Sequence, residues 1–369
     1  MLLTTPLHAN HIALGAKMGE FAGYDMPLFY KDGVMKEHEW TRSHCGVFDV
    51  SHMGQATLSG PDIAGFLERL TPSSFRDKKI NRAQYTVLTN EQGGIVDDLI
   101  VTRLSDKEFF VVFNAGCKAK DIVWIKKHLP LDSTFYHMKD HALIAVQGRW
   151  AERVIHEIFD FDPRDMSYMT LARAQTRYGS PAMISRLGYT GEDGFEVSVP
   201  NVEAADVWQA MLAHSEVKPI GLAARDSLRL EMGYPLYGHD INDETSPVEA
   251  DIGWIIGKDN KNFIGADRVL KERAEGPKRK RVGIALLGEG VAREGAEIRN
   301  IHDQKIGAFT SGGFSPTLKK SIGMGYVPAE NAKIGEMLFI NVRGRNIAAE
   351  VTALPFVPAK TKTIKKKAA

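Results

Sequence analysis

The sequence predicts a mixed α+β protein that closes with a small β-barrel or sandwich. Three observations lead there. Residues 61–128 run from a helical pattern into a meander of three alternating strands and back into a helix, an α+β unit. Residues 140–275 then mix strand-like and helix-like segments. Beyond the basic break Glu275-Gly276-Pro277-Lys278-Arg279-Lys280-Arg281 the texture becomes β, in short apolar runs separated by Gly, Asn and Pro turns. A length of 369 residues is more than one common core needs, so two or three domains are expected.

Along the chain, Leu7–Ala16 reads as a short helix. It is followed by the aromatic, turn-rich stretch Phe21-Ala22-Gly23-Tyr24-Asp25-Met26-Pro27-Leu28. Lys36–Ser43 reads as a helix, Gly46–Val50 as a strand and Gln55–Ser59 as an alternating segment. Pro61 and Asp62 open a helix that reaches Leu70, proline suiting the first turn. Strands are expected at Gln84–Thr89, Ile95–Arg103 and Phe109–Asn114, the first two joined by a hairpin turn ending in Gly93-Gly94. A helix at Cys117–His128 completes that unit. Further on come a strand at Ala142–Gln147, a helix at Ala151–Phe159, a strand at Ala182–Arg186, a helix at Val202–Ser215 and a helical segment at Gly221–Glu231. The loop Leu187–Val197 carries three glycines and three acids, and such loops often carry function. In the last third, strands are expected at Val282–Leu287, Lys305–Thr310, Gly323–Val327, Met337–Val342 and Ile347–Leu354. The Lys-rich end, 359–369, reads as a disordered basic tail.

Composition narrows the function classes. Hydrophobic residues make up 43% and charged residues 25%, as in an ordinary globular protein. A net charge of +1 gives no whole-molecule case for nucleic acid, and the run Lys278–Arg281 lacks interleaved aromatics. No stretch reaches the length of a membrane span, and no secretory pattern opens the chain. Two cysteines, Cys45 and Cys117, allow no disulfide framework, so a reducing, cytoplasmic setting is expected. His44, Cys45 and His52 match no metal spacing; no metal is expected. P-loop, nucleophile-elbow and dinucleotide fingerprints are absent, and Cys117 has no evident base beside it.

One stretch stands out. Gly93-Gly94-Ile95-Val96-Asp97-Asp98-Leu99-Ile100 puts two adjacent carboxylates in an apolar strand. Strict alternation would set Asp97 on the face of Ile95, Leu99 and Val101, and Asp98 on that of Val96, Ile100 and Thr102. Both faces look buried, so at least one carboxylate must find a partner, shift its pKa or bind a ligand. A turn cap or an Arg pair explains it as simply as a ligand does. Alternation alone does not say which Asp matters.

Seven stretches together resemble the glycine-cleavage T-protein family, the folate-dependent aminomethyltransferases. They are Phe21–Pro27, Phe48–Gly54, Gly93–Leu99, Gly188–Glu196, Gly221–Glu231, Leu236-Tyr237-Gly238-His239-Asp240 and Thr310–Pro316, and the likeness runs from Thr5 to Phe356. The resemblance implies three domains in a ring around a central folate site: a discontinuous folate-binding domain (1–50 and 140–275), an inserted α+β domain (51–139) and the C-terminal β domain (280–358). It implies an enzyme that takes the aminomethyl group from the lipoyl arm of H-protein and passes its carbon to tetrahydrofolate, releasing ammonia. By position, Asp98 would be the catalytic carboxylate and Glu196 would hydrogen-bond the pterin. Met53, Tyr85 and Tyr189 would wall the pocket, Arg225 would anchor it, and Asn114 would neighbour Asp98. Aromatics, carboxylates and one guanidinium suit a planar heterocycle with a carboxylate tail. After Pro358 the chain reads Ala359-Lys360-Thr361-Lys362, without the aromatic that many members carry there.

Three readings rival this one. A related family serving iron–sulfur cluster maintenance carries a Cys-containing motif, which Leu228–Tyr237 lacks. A folate-dependent demethylase of a small methylated substrate and a non-catalytic folate-binding protein would keep the same pocket.

Overall fold

The computed structural model describes residues 1–363. It contains three large sheets and one hairpin. The hairpin, Lys17–Phe21 with Tyr24–Phe29, occupies the stretch that reads only as turn formers and aromatics. Its turn residues Ala22 and Gly23 have φ of 51° and 81°, which matches the twist of the flanking strands.

The first large sheet has six strands in the order Thr170–Gln175, Pro181–Arg186, Gly194–Pro200, His141–Gln147, Cys45–Asp49 and Val217–Pro219. Helices Ala151–Ile158 and Ala204–Leu212 bury Val154, Ile155, Val207, Trp208 and Met211 against one face. The other face, with Phe48, Leu143 and Ala145, packs against Ala224 and Leu228 of the helix Leu222–Glu231. The second sheet has five strands in the order Ala83–Thr89, Ile95–Arg103, Glu108–Phe113, Gly54–Ser59 and Thr134–His137. Helix Ile63–Leu70, capped where the Asp62 side chain accepts from Gly65 N at 3.1 Å, packs Ile63, Phe66, Leu67 and Leu70 on it. Strands Cys45–Asp49 and His141–Gln147 pair directly, so this whole unit is inserted between two neighbours of the first sheet.

The third sheet is a closed six-stranded barrel, which decides between barrel and sandwich. Its strands are Arg279–Leu286, Lys320–Pro328, Lys305–Ser315, Glu297–Arg299, Met337–Val342 and Arg345–Thr352. The mixed α+β class ending in a barrel is the class the sequence predicts.

Two expectations change. Ile241, Ala250, Ile252, Ile255, Phe263, Ala266 and Val269 share a core with Val87 and Ile95. The stretch 241–269 therefore packs on the inserted unit, although by position it follows the discontinuous one. The tail also begins ordered. Lys360 N donates to Gly191 O at 2.7 Å and Lys360 Nζ lies 3.0 Å from Glu192. Lys362 Nζ lies 2.6 Å from Glu152. A carboxylate on the helix Ala151–Ile158 and one in the loop before the strand Gly194–Pro200 thus hold the lysines read as disordered; 364–369 lie outside the described residues.

Candidate active site

A cavity of about 1830 Å³ opens where the three sheets meet. Met53, Tyr85, Asp98, Asn114, Tyr189, Glu196 and Arg225, far apart in the sequence, all line it.

A β-bulge lies two residues before Asp98. Leu88 pairs with Asp97 but Thr89 pairs with Ile95, so Val96 is the extra residue. The face assignment from strict alternation is therefore corrected at the start of the strand. Ile95 packs with Val87 and Ile241, while Val96 joins Leu99 and Val101 in the core of the inserted unit. From Asp97 onward alternation resumes. Asp97 is fully buried and Asp98 is only part-buried, on the cavity wall.

Asn114 joins the two carboxylates. Its backbone N–H donates to Asp97 Oδ2 at 3.1 Å, and its Nδ2 donates to Asp97 Oδ1 at 3.0 Å and to Asp98 Oδ1 at 2.7 Å. Burial and then the charge of Asp97 raise the Asp98 pKa to about 7, against the pull of the Asn114 donor. Such a carboxyl can exchange a proton at neutral pH.

Across the cavity, Glu196 sits on the strand Gly194–Pro200 and Arg225 in the first turn of the helix Leu222–Glu231. Arg225 Nη2 lies 3.9 Å from Glu196 Oε1, too long for a hydrogen bond. Arg225 Nη1 is buried without a partner. Burial raises the Glu196 pKa and lowers that of Arg225. A loosely matched acid and base, one with an unused donor, are poised to hydrogen-bond a polar ligand. The guanidinium also lies 5.1 Å from the centre of the Tyr189 ring. Tyr189 stacks on Tyr234 at 5.7 Å and donates its hydroxyl to Pro235 O. Tyr85 stacks on Trp254 at 5.9 Å. Flat aromatic pairs thus flank the cavity on two sides.

Comparison with known proteins places this architecture. The family model described as the GCVT N-terminal domain matches residues 7–260, and the glycine cleavage T-protein C-terminal barrel domain matches 279–358. The chain belongs to the glycine-cleavage T-protein family. The mitochondrial aminomethyltransferase of Flaveria pringlei is 42% identical over 97% of this chain and 90% of its own length. The aminomethyltransferase of Chloroherpeton thalassium is 39% identical over 96% and 98%. The crystal structure of glycine cleavage system aminomethyltransferase T from Bartonella henselae superposes with a TM-score of 0.93 at 38% identity, covering 98% of this chain and all of that one. As a T-protein family member the chain is an enzyme, an aminomethyltransferase of the glycine cleavage system.

This T-protein cavity also contains residues that sequence reading passed over. Trp254 stands 71% exposed beside Tyr85; a lone tryptophan without a motif gave no signal. The sequence offers His52 only as a metal ligand that its spacing rules out. Its buried Nδ1 has no partner, and burial lowers its pKa to about 4, so it lines the cavity as a neutral ring. Arg281, at the end of the basic break, is buried on the cavity wall and donates to Ala250 O and Gly233 O at 2.8 and 2.9 Å. Among the described residues no group of three or more His, Cys, Asp or Glu could hold a metal ion, and no helix is long and apolar enough to cross a membrane.

Proposed function

We propose that the chain moves the carbon of an aminomethyl group, carried on the lipoyl arm of an H-protein, to tetrahydrofolate. The carbon exchanges its bonds to sulfur and to the amine for two bonds to folate nitrogens. The two folate N–H protons end on the sulfur and on the departing ammonia. The products are 5,10-methylenetetrahydrofolate, ammonia and a dihydrolipoyl arm. The observation that carries this reading is the Asp98 carboxylate, set on the cavity wall with a pKa of about 7. It would orient the folate amine and stabilise the positive charge that develops as the carbon transfers.

Glu196 and the free Nη1 of Arg225 would take the polar edge of the pterin. Met53, Tyr85 and Tyr189 would hold its faces and Asn114 would steady Asp98. We read the six-stranded sheet, the inserted unit and the barrel as three domains around one folate site. Both cysteines are free, which supports a reducing compartment. The test supplies purified protein with aminomethyl-loaded H-protein and tetrahydrofolate. Ammonia and methylenetetrahydrofolate should appear together; folate binding without either product overturns the transferase reading.

A further inference from the structure

A buried imidazole on the cavity wall has no hydrogen-bond partner. His52 sits in the turn between the strands Cys45–Asp49 and Gly54–Ser59 and is only 4% exposed. Its ring meets Phe21 edge-on, with centres 5.5 Å apart, and leans on Tyr24 at 6.2 Å. No hydrogen bond reaches either ring nitrogen from the described residues. Buried histidines that serve packing normally engage a nitrogen, as His11 does with Asp49 and His38 with Ser227. Nδ1 is sealed from water, so Nε2 is the nitrogen that opens on the cavity.

This geometry settles the state of the ring. An imidazolium would bury a charge and two N–H donors with no acceptor for either, so the ring is neutral. The oxygens of Asp49 are already taken by Thr5, His11 and the backbone N–H of Ser51. An orphaned N–H costs more than an unused lone pair, so the single proton sits on Nε2 and bare Nδ1 faces the sealed side. The register then places this donor relative to Asp98. Phe113 faces Leu99 on one side and Gly54 on the other. The strands carrying Leu99 and Gly54 run the same way, so Asp98 and His52 share one end of the sheet. Two strand spacings set them about 10 Å apart. On the His52 side the lining includes Phe21, Leu28, Phe29, Val34 and Met53, which suits an apolar chain ending in sulfur.

We propose that His52 is a catalytic residue: its Nε2–H donates to the sulfur of the lipoyl arm as that sulfur leaves the carbon. The proposal rests on the transfer reaction given above. The C–S bond breaks with its electron pair on sulfur, and the amine lone pair closes on the carbon in its place. A folate nitrogen then bonds the carbon, and the proton it releases ends on the sulfur; His52 keeps its own. While the C–S bond breaks, the amine lone pair is committed to carbon and cannot accept a hydrogen bond. The sulfur is gaining negative charge and can, so a fixed donor there stabilises the transition state. Asp98 serves the folate nitrogens and His52 the leaving group.

The experiment compares wild type, His52→Gln and His52→Phe in single turnover with aminomethyl-loaded H-protein and tetrahydrofolate. Phe keeps a ring but removes the donor, while Gln keeps an N–H. The rate should fall about tenfold or more in His52→Phe and largely recover in His52→Gln. Tetrahydrofolate affinity, read by tryptophan quenching, should be unchanged in both. A wild-type rate in His52→Phe, or an equal loss in both variants, overturns the proposal. The reverse reaction, from methylenetetrahydrofolate, ammonia and dihydrolipoyl H-protein, should show an unchanged KM for ammonia in His52→Phe. A raised KM would put the ring on the amine and overturn the proposal. If His52→Phe does not fold, nitrogen NMR spectra of isotope-labelled histidines in the wild type decide, with His52→Gln assigning the signal. A neutral ring protonated on Nε2 is expected near neutral pH; an imidazolium, or a proton on Nδ1, overturns the proposal. A wild type that forms no product while the ring is in that state overturns the transferase reading, and the step with it, rather than the state of His52.

Discussion

Asp98 carries two opposed demands. Catalysis wants its charge on the cavity wall, while burial and Asp97 penalise that charge. Turnover should therefore fall as pH drops through about 7, read as an acid limb in kcat/KM. Asp98→Asn should fold and bind folate but lose roughly two orders of magnitude in turnover. Near-normal activity would move the role to another group. The same variant should gain stability. The folded pKa lies above the 3.8 of an unperturbed Asp, so the wild type loses stability as pH rises from 3.8 to about 7. Asp98→Asn removes that loss, and its Tm advantage should be largest above pH 7. At this scale the sequence shows that a carboxylate pair in an apolar strand needs an explanation. It cannot show that Asn114 bridges the pair, because that contact spans 16 positions and one strand crossing.

At the scale of the element, the Ile95–Arg103 strand depends on how it starts. Gly93 has φ of 75°, and a Cβ on Gly94 would lie 1.7 Å from Asp243 O. Asn90 Oδ1 accepts from Gly94 N at 2.9 Å, and Ile95 N donates to Thr245 O at 3.0 Å. The turn is therefore clamped between its own Asn and the loop from 242 to 245. Gly94→Ala should cost about 1–3 kcal/mol by forcing that loop away, read as a lower Tm. Turnover should fall more than folate binding, since Asp98 lies four residues on. The hairpin and its glycines are plain in the sequence. The Val96 bulge is not, because a strand of mostly apolar residues looks the same on both faces.

At the scale of the molecule, the barrel is tied to the first sheet through Glu231. This fully buried carboxylate accepts from Arg42 at 2.8 Å, Ser315 at 2.5 Å and Thr317 at 2.8 Å, and lies 3.2 Å from His38. Burial alone would raise its pKa, but His38, Ser315 and Arg42 hold it down at about 2. Its contribution is thus complete above the unperturbed 4.5 and lost as pH falls toward 2. Glu231→Ala should cost about 1–3 kcal/mol by leaving the Ser315 and Thr317 hydroxyls and one edge of Arg42 short of an acceptor, while Arg42 keeps Glu192 at 3.0 Å. Glu231→Gln should flatten the acid branch of a stability–pH curve in that same window. The helix that carries Glu231 is readable from its periodicity. Its partners on the Gly33–Ser43 helix and in the barrel are not, since nothing local in 315–317 announces a buried carboxylate.

The inserted unit also dictates an order of assembly. Strands Cys45–Asp49 and His141–Gln147 must find each other across about a hundred residues, from Gly46 to Gln147, and closing so long a flexible loop carries an entropic cost before any contact repays it. The insert removes that obstacle by itself. Its first and last strands are neighbours, Ala56 opposite His137, so once it folds the two ends are delivered side by side. Folding of the six-stranded sheet should then wait on a nucleus that belongs to a different sheet. Core truncations in the insert, such as Phe109→Ala, should slow refolding of the whole protein. Equivalent truncations in the barrel should chiefly speed its unfolding.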